Sequence, residues 1–179
     1  MSFLCIAPAS LHRLRQQLHA QDPVAAARLL HEAGFATGEA LAAAWHQRIA
    51  ERTGLEDPAR LDSRWFGPLL AEVATEFGWG SLTLTDLGDE AVSLDSTDWA
   101  EALPDTSSHP ACHFTAGALA AFLSAQAGTA IAVLEVECRS SGAERCRFAA
   151  GSTEVLAAAW DLLAAGGEWR DAFAATRQG

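Results

Sequence analysis

The sequence predicts an α+β fold, a twisted antiparallel sheet packed against helices. Apolar residues recur at helical spacing through most of residues 8–77. Two alternating stretches, 81–94 and 131–148, are each interrupted by a glycine-containing turn, as hairpins are. Helical segments lie before, between and after these hairpins, whereas a parallel α/β sheet would alternate strand and helix one by one.

Composition narrows the function classes. The 179 residues are 50% hydrophobic, enough for a substantial core. The expected division is an N-terminal extension with a short helix (1–21), one main domain (22–165) and a tail or short helix (166–179). A formal charge of −11 argues against nucleic acid, whose phosphates require a basic face, and against anionic membranes. No apolar run reaches the roughly 20 residues that span a bilayer. The opening MSFLCIAPASLHRLR has its apolar stretch ahead of its positive charges, unlike a secretory signal. A cytoplasmic location is therefore expected, where clustered cysteines point to metal or catalysis over disulfides.

In chain order, Cys5 reads as a small hydrophobe in a short tail. Pro8-Ala9-Ser10 opens a helix carrying Leu11, Leu14 and Leu18, with His12 and His19 on a surface face. Asp22-Pro23 is an N-cap followed by proline at the first helical position. The helix that follows is expected to run to Thr53 and stop at Gly54. Its stripe of Leu30, Gly34, Gly38, Leu41, Trp45 and Ile49 places two glycines on the buried face, where another backbone approaches or a dimer seam or pocket wall forms. His31 and His46 read as surface residues. A helix from about Ser63 to Phe77 precedes the Gly78-Trp79-Gly80 turn and the first hairpin. The polar stretch 96–110 reads as turns with a short helix around Trp99. Residues 112–127 form a helix of small side chains, Ile131–Val136 a buried strand, 139–145 a turn, and Cys146-Arg147-Phe148 starts the partnering strand. Ser152 or Thr153 caps a final helix through Leu163.

Three of the four cysteines, Cys112, Cys138 and Cys146, fall within this last part, with Glu135 and Glu137 just before Cys138. Thiolates and a carboxylate are ligand types that tetrahedral zinc accepts. Cys138 and Cys146 are placed across a hairpin turn, and Cys112 at a helix start, where free backbone N–H groups favour a thiolate. Strand alternation puts Cys138 on the opposite side from both glutamates, so one of them joins the thiols only through a bulge or twist at 136–138. Spacing does not choose between the two. Scattered buried cysteines, a redox pair, or a fourth ligand from His109 or His113 are the competing readings.

The segments Cys112-His113-Phe114 with Gly117, Glu135-Val136-Glu137-Cys138-Arg139-Ser140, Gly142 and Cys146-Arg147-Phe148 resemble the 4-vinyl-reductase-type domain family. That family includes sensor domains of phenol- and xylene-responsive activators, a bacteriochlorophyll-biosynthesis protein and hydrocarbon-binding proteins. Leu29 to Gly38 and Phe77 to Gly80 resemble its first long helix and its helix-to-strand turn, so the likeness spans roughly residues 24–165. It implies the fold shared by nitric-oxide-signalling and Golgi-transport domains, often dimeric. In the phenol sensors three cysteines and a glutamate bind zinc, and that spacing falls on Cys112, Glu135, Cys138 and Cys146. The resemblance thereby selects Glu135 over Glu137. A tryptophan of the sensors' W-x-x-S segment is replaced here by Ser93, which moves the expected ligand away from phenol.

A zinc ion with four protein ligands is structural, since catalytic zinc keeps an open position. The expected function is therefore a stand-alone binding module, sensor or carrier, for an aromatic, hydrocarbon or other apolar molecule, without the ATPase and DNA-binding regions of a complete activator. Its expected pocket is lined by Phe66, Trp79, Trp99, Phe114, Ala116, Phe122 and Val133, and it works as a homodimer. Two alternatives remain: an enzyme or assembly factor in tetrapyrrole or other ring metabolism, and a dimeric scaffold subunit. The enzyme reading lacks a dinucleotide fingerprint and any Ser/His/Asp arrangement with readable spacing.

Overall fold

The computed structural model describes residues 6–88 and 91–174; Cys5 lies outside them. Helices α1 (Pro8–Gln21), α2 (Pro23–Phe35), α3 (Gly38–Thr53) and α4 (Phe66–Glu76) lead into a hairpin of β1 (Thr83–Gly88) and β2 (Ala91–Ser96). Helix α5 (His113–Ala127), strands β3 (Ala132–Glu137) and β4 (Cys146–Gly151), and helices α6 (Thr153–Ala164) and α7 (Trp169–Ala174) follow. The strands form one antiparallel sheet in the order β1-β2-β4-β3. The α+β class expected from the sequence is the one found.

Alternation sorts the strand residues onto two faces. Leu94, Phe148 and Ala150 turn toward α3, α4 and α5, in a core with Trp45, Ile49, Leu69, Leu70, Trp99 and Phe122. Leu87, Ala91 and Ala149 turn the other way, against Leu156, Ala159, Trp169 and Phe173 of α6 and α7. The result is a three-layer arrangement with β1 and β3 at the sheet edges.

Two sequence expectations are corrected. The stretch 23–53 is two helices, not one. The Asp22 side chain caps α2 through the Val24 and Ala25 N–H groups at 3.0 Å. The break comes where the Thr37 hydroxyl and N–H both donate to the Gly34 carbonyl, at 2.6 and 2.8 Å, drawing the chain into a turn that a continuous helix does not make. The short helix around Trp99 is absent, and that segment is a series of turns.

The break lets the two glycines serve separate contacts with α5. A Cβ on Gly34 would sit 1.9 Å from the Phe114 carbonyl oxygen, and one on Gly38 2.2 Å from the Ala121 Cβ. Gly117 answers from α5, where a Cβ would fall 2.0 Å from the His31 carbonyl oxygen. The glycine face is thus an intramolecular helix crossing.

Candidate functional site

The start of α5, the end of β3 and the start of β4 bring Cys112, Glu135, Cys138 and Cys146 together. One ligand atom from each lies within 4.8 Å of all the others, and all four residues are buried. The Cys112 sulfur is 3.9 Å from those of Cys138 and Cys146. A tetrahedron with Zn–S bonds of about 2.3 Å has sulfurs about 3.8 Å apart, so the spacing suits that ion. Glu135 Oε2 accepts from the Cys112 N–H at 2.8 Å, while its Oε1 is buried with no hydrogen-bond partner. A buried carboxylate oxygen with no donor is costly, and a cation at the cluster centre removes that cost. The Ser140 N–H donates to the Cys138 sulfur at 3.3 Å, which favours the thiolate a metal requires. The donor set therefore fits zinc.

Protons compete for the same atoms. Hydrogen bonds with Cys138 and Cys146, together with burial, raise the Cys112 thiol well above its ordinary range. Burial, reinforced by charge on Cys138, pushes the Glu135 carboxyl up to about 8.

A bulge brings Glu135 to the thiols. In the β3–β4 ladder Glu135 opposes Phe148 and Glu137 opposes Arg147, so Val136 is one residue in excess. Glu135 therefore shares the inner face with Phe148, and the extra residue returns Cys138 to that face. Glu137 is turned outward. It accepts from Arg147 at 3.3 Å and from the Trp169 indole at 3.0 Å. Arg147 also grips Asp95 and stacks over the Trp169 ring at 4.6 Å. Glu137 has its own cations and does not face the cluster.

A second buried carboxylate, which sequence reasoning misses, supports the same helix start. Glu101 is 3% exposed and accepts from the Phe114 and Thr115 N–H groups at 3.1 and 2.8 Å. The Thr115 hydroxyl donates to it at 2.6 Å and accepts from the Trp99 indole at 2.6 Å. Negative charge at a helix N-terminus is favourable, and Arg15 of α1 lies 3.9 Å away. Burial is the larger influence and raises this carboxyl above its usual range. The only hint in the sequence is an acid flanked by apolar residues in Trp99-Ala-Glu-Ala-Leu. Glu101→Ala leaves Arg15 buried and uncompensated and is expected to cost about 3–5 kcal/mol, read from urea unfolding.

The residues expected to line a pocket divide into two groups. Phe66 and Phe122 pack with Trp45, at 4.9 and 5.6 Å between ring centroids. Trp79 packs on Trp99, and Trp99 on Phe148, at 5.8 and 6.1 Å. These four expected residues are core, because edge-on aromatic packing fills the space between α3, α4, α5 and the sheet. Phe114 is part-buried, with its backbone against Gly34. Ala116 and Val133 line an open space elsewhere, a cavity of about 1370 Å³ beside β3. Its walls come from α1, α2, the 103–112 loop, the start of α5, β3 and α6, and include Cys112 and Glu135. His12 and His19, expected on the surface, face this cavity. His12 Nε2 lies 2.8 Å from the Ala100 carbonyl, and the His19 ring lies 5.9 Å from that of His113. Burial, and the charges of His19 and Arg15, lower His113 to about 4.

Among the described residues no helix is long and apolar enough to cross a membrane. Known proteins share much of this framework. The "Bacteriochlorophyll synthase 23 kDa chain" of Cereibacter sphaeroides is 30% identical over 140 residues, spanning 78% of this chain and 66% of that protein, just under two thirds. The phenol-responsive sensory domain of the transcription activator PoxR, solved with phenol, superposes with a TM-score of 0.65 at 20% identity, over 86% of this chain and 78% of that one. A trafficking protein particle complex subunit 3 from Naegleria fowleri, covalently bound to palmitic acid, gives 0.61 at 14% identity, over 80% and 91%. Both structures show the same fold. Residues 99–152, which contain all four cluster residues and Glu101, match the V-4-R (vinyl-4-reductase) domain, and through this segment the chain belongs to that domain family.

Proposed function

We propose that the protein is a small-molecule-binding module in which zinc, held by Cys112, Glu135, Cys138 and Cys146, is a structural clasp. The observation that carries this reading is the shared wall: Cys112 and Glu135 belong both to the cluster and to the large cavity beside β3. Four protein ligands leave the metal no position for substrate, so the ion pins α5 to the β3–β4 hairpin and fixes the cavity's shape. Small-molecule sites are mostly apolar with a few polar anchors. Ala116, Val133, Leu103, Leu134 and Leu163 supply the apolar wall here. The sensory role of the PoxR domain supports an aromatic or other apolar ligand, as does the acyl group on the trafficking subunit. Of the seven ligand contacts expected from the sequence, Ala116 and Val133 are the two retained. A cytoplasmic homodimer remains part of this proposal, with light scattering as its check.

Native mass spectrometry of freshly purified, zinc-loaded protein is expected to show a co-purifying apolar molecule that leaves on mild activation. A bare chain, together with no protection of the cavity by any member of an aromatic and lipid panel, would favour a scaffold role. The Cereibacter sphaeroides relative supports a second reading, an assembly or carrier role in tetrapyrrole metabolism. That reading uses the same cavity, and the mass of the captured molecule separates the two.

A further inference from the structure

Five of the chain's six histidines, His12, His19, His31, His109 and His113, line the cavity beside β3. We propose that this cavity is a site for a metal-centred planar macrocycle, with the His19 imidazole as axial ligand to the metal. The inference rests on the binding-module reading and adds a ligand class and an anchor residue to it.

The anchor is identified by elimination among the imidazoles. His12 is engaged with the Ala100 carbonyl. His19 Nε2 is buried and has no hydrogen-bond partner, although its ring packs at 5.9 Å against His113. An orphaned ring nitrogen at a cavity wall calls for a partner within the cavity. Burial, with Arg15 nearby, lowers the His19 pKa, so at neutral pH the ring keeps the lone pair that a metal requires.

The choice of a macrocycle over a bare ion follows from ligand number. Among the described residues the only group of three or more potential metal ligands is the cysteine–glutamate cluster. An ion at His19 must therefore bring most of its own ligands. A planar macrocycle supplies four in-plane donors and leaves an axial position free for one imidazole.

Size and charge agree with this. At about 1370 Å³ the space exceeds the roughly 300–1,000 Å³ of ordinary ligand pockets and is oversized for a single aromatic ring. Trp160 and Val24 line it while remaining 60% and 81% exposed, so apolar surface is available to a large flat ligand. The chain carries a formal charge of −11, yet the one carboxylate in the cavity lining is Glu135, which is turned toward the thiols. A ligand with acidic groups at its periphery meets little repulsion there.

The test titrates the zinc-loaded full chain with haemin and, separately, with metal-free protoporphyrin. Haemin is expected to bind one per chain with a shifted Soret band. His19→Leu is expected to lose at least tenfold in haemin affinity, with little change for metal-free protoporphyrin and with zinc content and circular dichroism retained. His19→Gly is expected to recover the wild-type Soret band when free imidazole is added, which keeps the test valid if the leucine variant folds poorly. His46→Leu, outside the cavity, should behave as wild type. Haemin that binds His19→Leu with the wild-type spectrum and affinity overturns the proposal, as does absence of haemin binding. An apolar molecule captured in native mass spectrometry while haemin fails overturns the macrocycle and leaves the binding module standing.

Discussion

Removing zinc from the reduced protein with a strong chelator is expected to lower its Tm by at least about 10 °C, equivalent to several kcal/mol for a chain of this size. Without the ion, three buried thiols and a carboxyl pushed up to about 8 must keep protons, and the buried Glu135 Oε1 stays unpartnered. Three segments distant in sequence then lose their common attachment. Freshly purified protein should hold about one zinc per chain by elemental analysis, and its absence would sink the clasp. Binding displaces protons, so apparent zinc affinity rises with pH and acid releases the metal. Cys138→Ala and Glu135→Gln are expected to lose zinc and most of this stabilisation. Glu137→Gln is expected to keep the zinc and to lose only about 1 kcal/mol, since its partners Arg147 and Trp169 lie on the outer face. Equal zinc loss in the two glutamate variants would contradict the bulge geometry.

The second large effect is expected at the α2–α5 crossing. Gly117→Ala is expected to destabilise by about 3 kcal/mol or more, read as a lower urea midpoint. At a free helical position the same change stabilises by roughly 1 kcal/mol, because alanine is the better helix former. The sign reverses here because the new methyl carbon would lie 2.0 Å from the His31 carbonyl oxygen and 2.9 Å from the Phe35 nitrogen, both backbone atoms of a packed helix. No rotamer change relieves that clash, so the helices must separate. Gly67→Ala is the control, since its methyl meets only the Leu84 side chain at 3.1 Å, and it is expected to change stability by no more than about 1 kcal/mol.

Local chemistry explains what is legible in the sequence. The Asp22-Pro23 start, the αL glycines Gly54 and Gly128 that end α3 and α5, and the alternation in both hairpins are signals contained within a few residues. The cysteine spacing is similarly local, apart from Cys112. The break at Ala36-Thr37 is hidden because Gly34 and Gly38 keep helical spacing across it. The cavity is misplaced for a different reason. Large aromatic side chains look alike whether they line a void or fill a core, and Trp45, Phe66 and Phe122 fill one. The cavity's own walls come from α1, α2, the 103–112 loop, β3 and α6, a combination that no window of sequence contains. Glu101 looks like an ordinary loop acid because its partners Arg15 and Thr115 lie 86 and 14 residues away.

The extra residue in β3 bears on which length changes the strand can absorb. Val136 and Glu137 together occupy the place opposite Arg147 that one residue would fill in a flat ladder. Deleting Val136 would straighten the strand and still leave Glu135 and Cys138 facing inward, two positions apart. Adding a residue between them would turn one of the pair away. At this point the fold should forgive a shortening and reject a lengthening, an asymmetry that belongs to the backbone count and would survive any exchange of the neighbouring side chains.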